Sequence, residues 1–139
     1  MLLNFYEPFP FTHQAATWSS DWVKPLRMVP YPSSTERVVS AIAAVVDETA
    51  KRNLKQYGEQ QWDAAKIESR IAEAAEWAKK YGVAVTCNEF GAYRRFSPPE
   101  DVIQWHKDLC SAFARHQIGW AKWELDGNKA HPQMINRRA

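Results

Sequence analysis

Three short apolar runs stand out in a chain otherwise patterned for helices. LLNFY (Leu2 to Tyr6) stops at Pro8 and Pro10, VAVTC (Val83 to Cys87) leads into polar residues, and IGWAKWEL (Ile118 to Leu125) comes last. The first two are nearly continuous in apolar residues, which predicts parallel strands buried on both faces.

The segments between them carry helical spacing. After a Trp-, Pro- and Ser-rich loop from Glu7 to about Ser34, Ser33 and Glu36 fit a capping box. Val38, Ile42, Val45 and Val46 then fall on one helical face. Residues 48 to 62 are polar and read as a second short helix interrupted at Gly58. The strongest signal runs from Asp63 to Tyr81, with Asp63 as cap, Ile67, Ile71, Ala74 and Ala78 on one face, and Gly82 as terminator. A second capping box, Ser97 with Glu100 around Pro98, opens a helix whose buried stripe is Val102, Trp105, Leu109 and Phe113. His116 then sits at the end of that helix, where it complements the dipole.

Strand, helix, strand, helix, strand describes two right-handed crossovers and a parallel sheet. The loops leaving its strands emerge on one side, where active sites gather. Asn4, Tyr6, Glu89 and Trp123 lie at or just past strand C-termini and are expected to share that side.

The chain has 139 residues, enough for one domain with a single core. It is 45% apolar and 24% charged, as expected of a soluble globular chain. A net charge of +2 gives no case for a nucleic-acid or membrane partner. No run approaches the roughly 20 apolar residues of a membrane span, and MLLNFYEPFP has no pattern of an export signal, so location stays open. Cys87 and Cys110 show no metal-site spacing and read as reduced thiols; no metal or other cofactor is expected. Seven Trp, five Tyr and six Phe are many for this length. Aromatics at that density fill a core or line a groove for flat ligands such as sugar rings, and Trp18 and Trp22 in the first loop are open to either role.

NFYEPFPFTHQAATW, VAVTCNEFGAYR and IGWAKWEL, in that order and spacing, resemble the C-terminal part of glycoside hydrolase family 5, the cellulase family. The resemblance implies an α/β fold: a partial (β/α)8 TIM barrel whose βαβαβ segment corresponds to the last three strands. It sets residues 1–125 as the barrel piece and 126–139 as a polar tail. It implies retaining hydrolysis of β-1,4-glucan, with Glu89 as nucleophile and Trp123, Tyr6, Asn4 and His13 as substrate-binding residues, Tyr6 matching the tyrosine of the family's His-x-Tyr pair. Asn4 stands where the family usually has the histidine of that pair, and DGNKAHP replaces the family's Gly-rich loop. The first five strands, and with them the acid/base glutamate after the fourth, have no counterpart here. Asn88–Glu89 is not that pair, because Phe90–Gly91 follows it in the seventh strand's place.

Retaining hydrolysis needs two carboxyl groups about 5–5.5 Å apart. Glu89 supplies one, and nothing in the sequence fixes Glu7, Glu124 or Asp126 as the other. Three parallel strands also leave sheet edges and one face uncovered. The expected partners are therefore a β-glucan or oligosaccharide and further copies of the chain that complete the barrel, a homo-oligomer. The alternative is a non-catalytic oligomeric module, glucan-binding or structural, derived from a truncated cellulase.

Overall fold

The computed structural model describes residues 1–121: β1 (Leu2–Phe5), α1 (Phe9–Thr12), a 3-10 turn (Asp21–Val23), α2 (Val39–Ala43), α3 (Glu48–Gln60), α4 (Ala64–Tyr81), β2 (Thr86–Phe90), α5 (Pro99–Arg115) and β3 (Gly119–Trp120). The strands pair in the order β1-β2-β3, all parallel, so the expected βαβαβ path is present. No helix among the described residues is long and apolar enough to cross a membrane. Trp123 and the tail 126–139 lie outside the described residues.

The two long helices form as their sequences require. Asp63 accepts from the Lys66 N–H at 2.9 Å and opens α4, and Gly82, at φ 63°, closes it. In α5, Val102, Trp105, Leu109 and Phe113 are buried, and His116 is its C-cap. α4 and α5 pack on each other. Ile71, Trp105, Leu109 and Phe113 share one core with Phe5, Cys87 and Phe90 from the sheet.

β2 begins three residues later than the apolar run predicts. The Val83 N–H donates to Ala78 O at 3.0 Å, so Val83 is spent closing α4. Pairing with the β1 segment opens with the Met1 amino group donating to Ala84 O at 2.6 Å and the Thr86 N–H donating to Met1 O at 3.1 Å. Val83 and Ala84 are exposed, and the strands are not buried on both faces. Leu2, Thr86 and Gly119 line the uncovered face, whereas Leu3, Cys87 and Trp120 turn to the helices. Among the described residues that uncovered face is mostly polar, and the bare apolar surface expected of an opened barrel is reduced there largely to Leu2, 73% exposed.

Neither capping box forms. The Ser33 hydroxyl donates to Tyr57 O (2.8 Å) and accepts from Trp62 N–H (2.8 Å), which pins the loop to α3. Ser34 accepts from Arg37 N–H in the turn that precedes α2, whose N-cap, Val38, makes no side-chain cap, and α2 is only five residues long. Val46 is exposed, not part of its buried face. Ser97 is likewise diverted, donating to Tyr93 O at 2.6 Å, and α5 starts after Pro98.

Gly58 does not interrupt α3, which runs unbroken from its Asp47 cap. It is there for closeness: a Cβ would lie 2.7 Å from Val38 Cγ2 and 3.0 Å from Ser34 O. The loop from Glu7 to Ser34 builds much of the core itself, since Phe11, Val23, Leu26, Val29 and Tyr31 are fully buried. Gln14 holds it together by donating to Phe11 O and Val29 O and accepting from Val29 N–H.

Gly58→Ala is expected to destabilise the fold. The helix gains about 1 kcal/mol in propensity, but overpacking against a β-branched side chain and a carbonyl costs about 1–3 kcal/mol. Denaturant unfolding should show a lower midpoint with the same slope; a midpoint at or above wild type would mean that residues 34 to 38 give way freely.

Candidate active site

β1 and β2 do not run in simple register. Leu3 pairs with Cys87, but Asn4 pairs with Glu89, which leaves Asn88 as the extra residue of a bulge. In a regular ladder Glu89 would share the helix-covered face with Cys87, and Phe90 would point away from it. The bulge reverses both. Phe90 is fully buried opposite Phe5, and Glu89 comes onto the uncovered face beside Asn4, half-buried. The Cys87 thiol donates to Glu89 O at 3.4 Å across the bulge, and burial pushes that thiol up to about 11. Cys87 and Cys110 are both free.

Glu89 therefore lies within β2, one residue from its end, and not beyond the strand as the sequence suggests. Tyr6, the first residue past β1, reaches it. Burial, followed by the hydrogen bond and the negative charge of Glu89, raises the Tyr6 phenol above its ordinary range. The phenol thus remains a proton donor to the carboxylate across the neutral range.

His13 joins the same cluster by its neighbours. Its ring stacks on Phe9 (centroids 4.1 Å, 18°) and meets Tyr6 edge-on at 5.4 Å. The single hydroxyl proton of Thr12 goes to Tyr6 O at 2.5 Å, so Thr12 Oγ1 must accept at 2.9 Å from His13 Nδ1–H. This fixes the Nδ1–H tautomer and leaves Nε2 as an acceptor. Burial lowers the pKa of His13, which favours the neutral ring. Thr12 was not legible as a site residue, although its place beside His13 in FTHQ was the available signal.

Other carboxylates and aromatics are placed elsewhere. Glu7 is held by Arg70 of α4 through two contacts of 2.9 Å, and Trp105 Nε1–H donates to Glu7 O at 3.0 Å. Trp120 packs on Phe90 at 5.4 Å on the helix side. Trp18 is exposed and edge-on to Tyr93. Among the described residues of the three strands, Glu89 is the only carboxylate, and no group of three or more His, Cys, Asp or Glu converges as a metal site.

Asn4, Tyr6, His13 and Glu89 thus come together at the strand ends, and Trp123 lies outside the described residues. No family model matches the sequence. Individual proteins do. Endoglucanase C of Acetivibrio thermocellus is 30% identical over 125 residues, covering 86% of this chain and 34% of that protein. Endoglucanase 3 of Fibrobacter succinogenes is 31% identical over 135 residues, covering 91% and 20%. The fold matches the cellulose synthase subunit Z of Clostridioides difficile at TM-score 0.64, with 17% identity over 96% of this chain and 36% of that one. It matches a hyperthermophilic endo-β-1,4-glucanase at TM-score 0.60, with 22% identity over 96% and 36%. The chain corresponds to a part of the glycoside hydrolase family 5 cellulases.

It spans between a fifth and about a third of the length of these curated family 5 relatives. Its three-stranded parallel sheet with flanking helices is the matching portion of their barrel fold.

The tautomer and pKa of His13 give a direct check. Its ring nitrogens should show the Nδ1–H pattern by NMR, with a titration midpoint below the ordinary 6.5. Because the folded pKa is lowered, the unfolded chain takes the proton first. The contribution to stability is therefore full above 6.5 and fades as pH falls below it. A midpoint at or above 6.5 would contradict the half-buried placement.

Proposed function

We propose that this chain carries half of a retaining β-1,4-glucanase site, with Glu89 as the attacking carboxylate, Tyr6 orienting it, and Asn4 and His13 binding sugar hydroxyls. The observation that carries this reading is the bulge that sets Glu89 opposite Asn4 and within reach of Tyr6 on the uncovered face. A carboxylate held there, with a phenol donor beside it, suits in-line attack on an anomeric carbon.

The other half must come from a second carboxyl group about 5–5.5 Å away to protonate the departing oxygen. Glu7 is engaged by Arg70 and does not fill that role. Unassisted, the chain should hydrolyse cellulose poorly, because general acid catalysis contributes about 10²–10⁴-fold. Another copy of the chain is the economical source of that group. The outer edge of β1 has no strand paired to it among the described residues, and Trp77 of α4 is 46% exposed. Glucan binding without turnover is the second reading, favoured by the single carboxylate among the described residues of the strands.

An aryl glycoside whose leaving group needs no proton separates the two. With 2,4-dinitrophenyl β-cellobioside, the Glu89 carboxylate attacks the anomeric carbon and the C–O bond breaks. Dinitrophenolate then departs with the electron pair, leaving a glycosyl ester. The expected result is a burst of about one equivalent of dinitrophenolate per chain, an adduct on Glu89 by mass spectrometry, and neither in Glu89→Gln. Binding with no burst would support the non-catalytic module.

Light scattering tests the assembly. A dimer or larger species is expected at micromolar concentration, and a monomer throughout would remove self-completion of the site.

A further inference from the structure

Thr12 is buried at the end of α1 and cannot itself meet a ligand, yet two residues of the strand-end cluster are fastened to it. Its N–H donates to Pro8 O at 3.1 Å, and its carbonyl accepts from Tyr93 N–H at 2.8 Å. Its hydroxyl donates to Tyr6 O at 2.5 Å and accepts from His13 Nδ1–H at 2.9 Å. The backbone bonds are open to most residues at this position. The hydroxyl bonds are not, because one atom must give a proton and receive another, which only Thr or Ser does in so small a volume.

The two bonds act on different neighbours. A histidine ring in water favours the proton on Nε2, and the bond to Thr12 holds it on Nδ1 instead. The bond to Tyr6 is made to its carbonyl, while the phenol of the same residue bonds to Glu89. With its backbone fixed and the His13 ring edge-on at 5.4 Å, the Tyr6 side chain has few rotamers left to occupy. The branched Thr side chain adds its own restriction, since its methyl group limits rotation about χ1 and so aims the hydroxyl.

We infer that Thr12 is a positioning residue of this site: its hydroxyl decides which nitrogen of His13 is the acceptor and holds Tyr6 where its phenol meets Glu89. The effect on reaction rate rests on the hydrolytic reading above, whereas the effect on the His13 ring does not.

Removal of the hydroxyl would leave Tyr6 O and His13 Nδ1 without their partner in a buried place. The ring is then free to move its proton to Nε2, which turns the acceptor into a donor. The Tyr6 backbone loses its tie in the same step, so the phenol no longer meets Glu89 in one fixed orientation. A merely space-filling Thr12 would produce neither change when replaced by a side chain of the same shape.

The test compares the full chain with Thr12→Val, which keeps the shape and removes the hydroxyl, and Thr12→Ser, which keeps the hydroxyl. In Thr12→Val the ring nitrogens of His13 should show the Nε2–H pattern by NMR. The burst of dinitrophenolate from 2,4-dinitrophenyl β-cellobioside should slow about tenfold with its amplitude kept. Thr12→Ser should keep the Nδ1–H pattern and most of the rate. An Nδ1–H ring in folded Thr12→Val overturns the inference and leaves the hydrolytic reading intact. A changed tautomer with the wild-type burst rate overturns the part of Thr12 in the attack. Should Thr12→Val fail to fold, the wild-type and Thr12→Ser rings decide: Nδ1–H in both supports the inference, and Nε2–H in either overturns it. No burst from the wild-type chain overturns the hydrolytic reading and, with it, the effect on rate.

Discussion

A single extra residue between Leu3 and Asn4 on one side and Cys87 and Glu89 on the other sets the chemistry of the whole sheet. Strand side chains alternate, so Cys87 and Phe90, three apart, cannot both be buried on one face of a regular ladder. Both are fully buried, and the bulge at Asn88 makes this possible. The same device turns Glu89 away from the core. A carboxylate buried among Trp105, Leu109 and Phe113 would lack hydration, whereas on the open face it meets Tyr6 and solvent. The packing of Phe90 and the placement of Glu89 are thus settled by one register shift, and the Cys87 thiol, bonded to Glu89 O, braces it.

The loop after β1 extends this constraint outward. Thr12 ties the Tyr6 carbonyl to the His13 ring, and Tyr93 N–H donates to Thr12 O at 2.8 Å. The segments leaving β1 and β2 are therefore fastened to each other through one buried threonine. Gln14 and the fully buried Phe11 and Tyr31 anchor the same loop below, and Tyr31 bonds through its hydroxyl to Asp108 of α5 at 2.7 Å. A site on such a loop is held by core packing, which is the support that a binding or reacting constellation needs.

Much of this was legible in the sequence, for local reasons. Asp63 and Gly82 bracket α4 because caps are decided within a turn, and the stripe from Val102 to Phe113 buries because its spacing is helical. The strand order and the gathering of Asn4, Tyr6 and Glu89 follow from parallel topology. What escaped depends on distant partners. Ser33 and Ser97 look like caps, yet Tyr57 O and Tyr93 O claim their hydroxyls. Gly58 looks like a breaker, but its role is set by Val38 and Ser34 across the fold. The apolar run at Val83 looks like buried strand, but the end of α4 consumes it.

Glu7 illustrates how such distant pairing bears on mechanism. From sequence it is a carboxylate just past β1, near enough to consider as the partner of Glu89. In the fold its two oxygens face the guanidinium of Arg70, 63 residues away, and its backbone oxygen receives the Trp105 indole. Freeing it would leave Arg70 to Glu73 alone and break a bidentate geometry that is stronger than a single contact. Glu89 is then left without a proton donor of carboxylic type on the described strands, while its phenol neighbour is held too basic to give its proton away. On the reading proposed above, attack and protonation are divided between this surface and whatever docks against it. The polar character of the uncovered face fits that division, since a face built around Asn4, Thr86 and Glu89 accommodates a hydroxylated ligand and a second carboxyl group better than a dry hydrophobic joint.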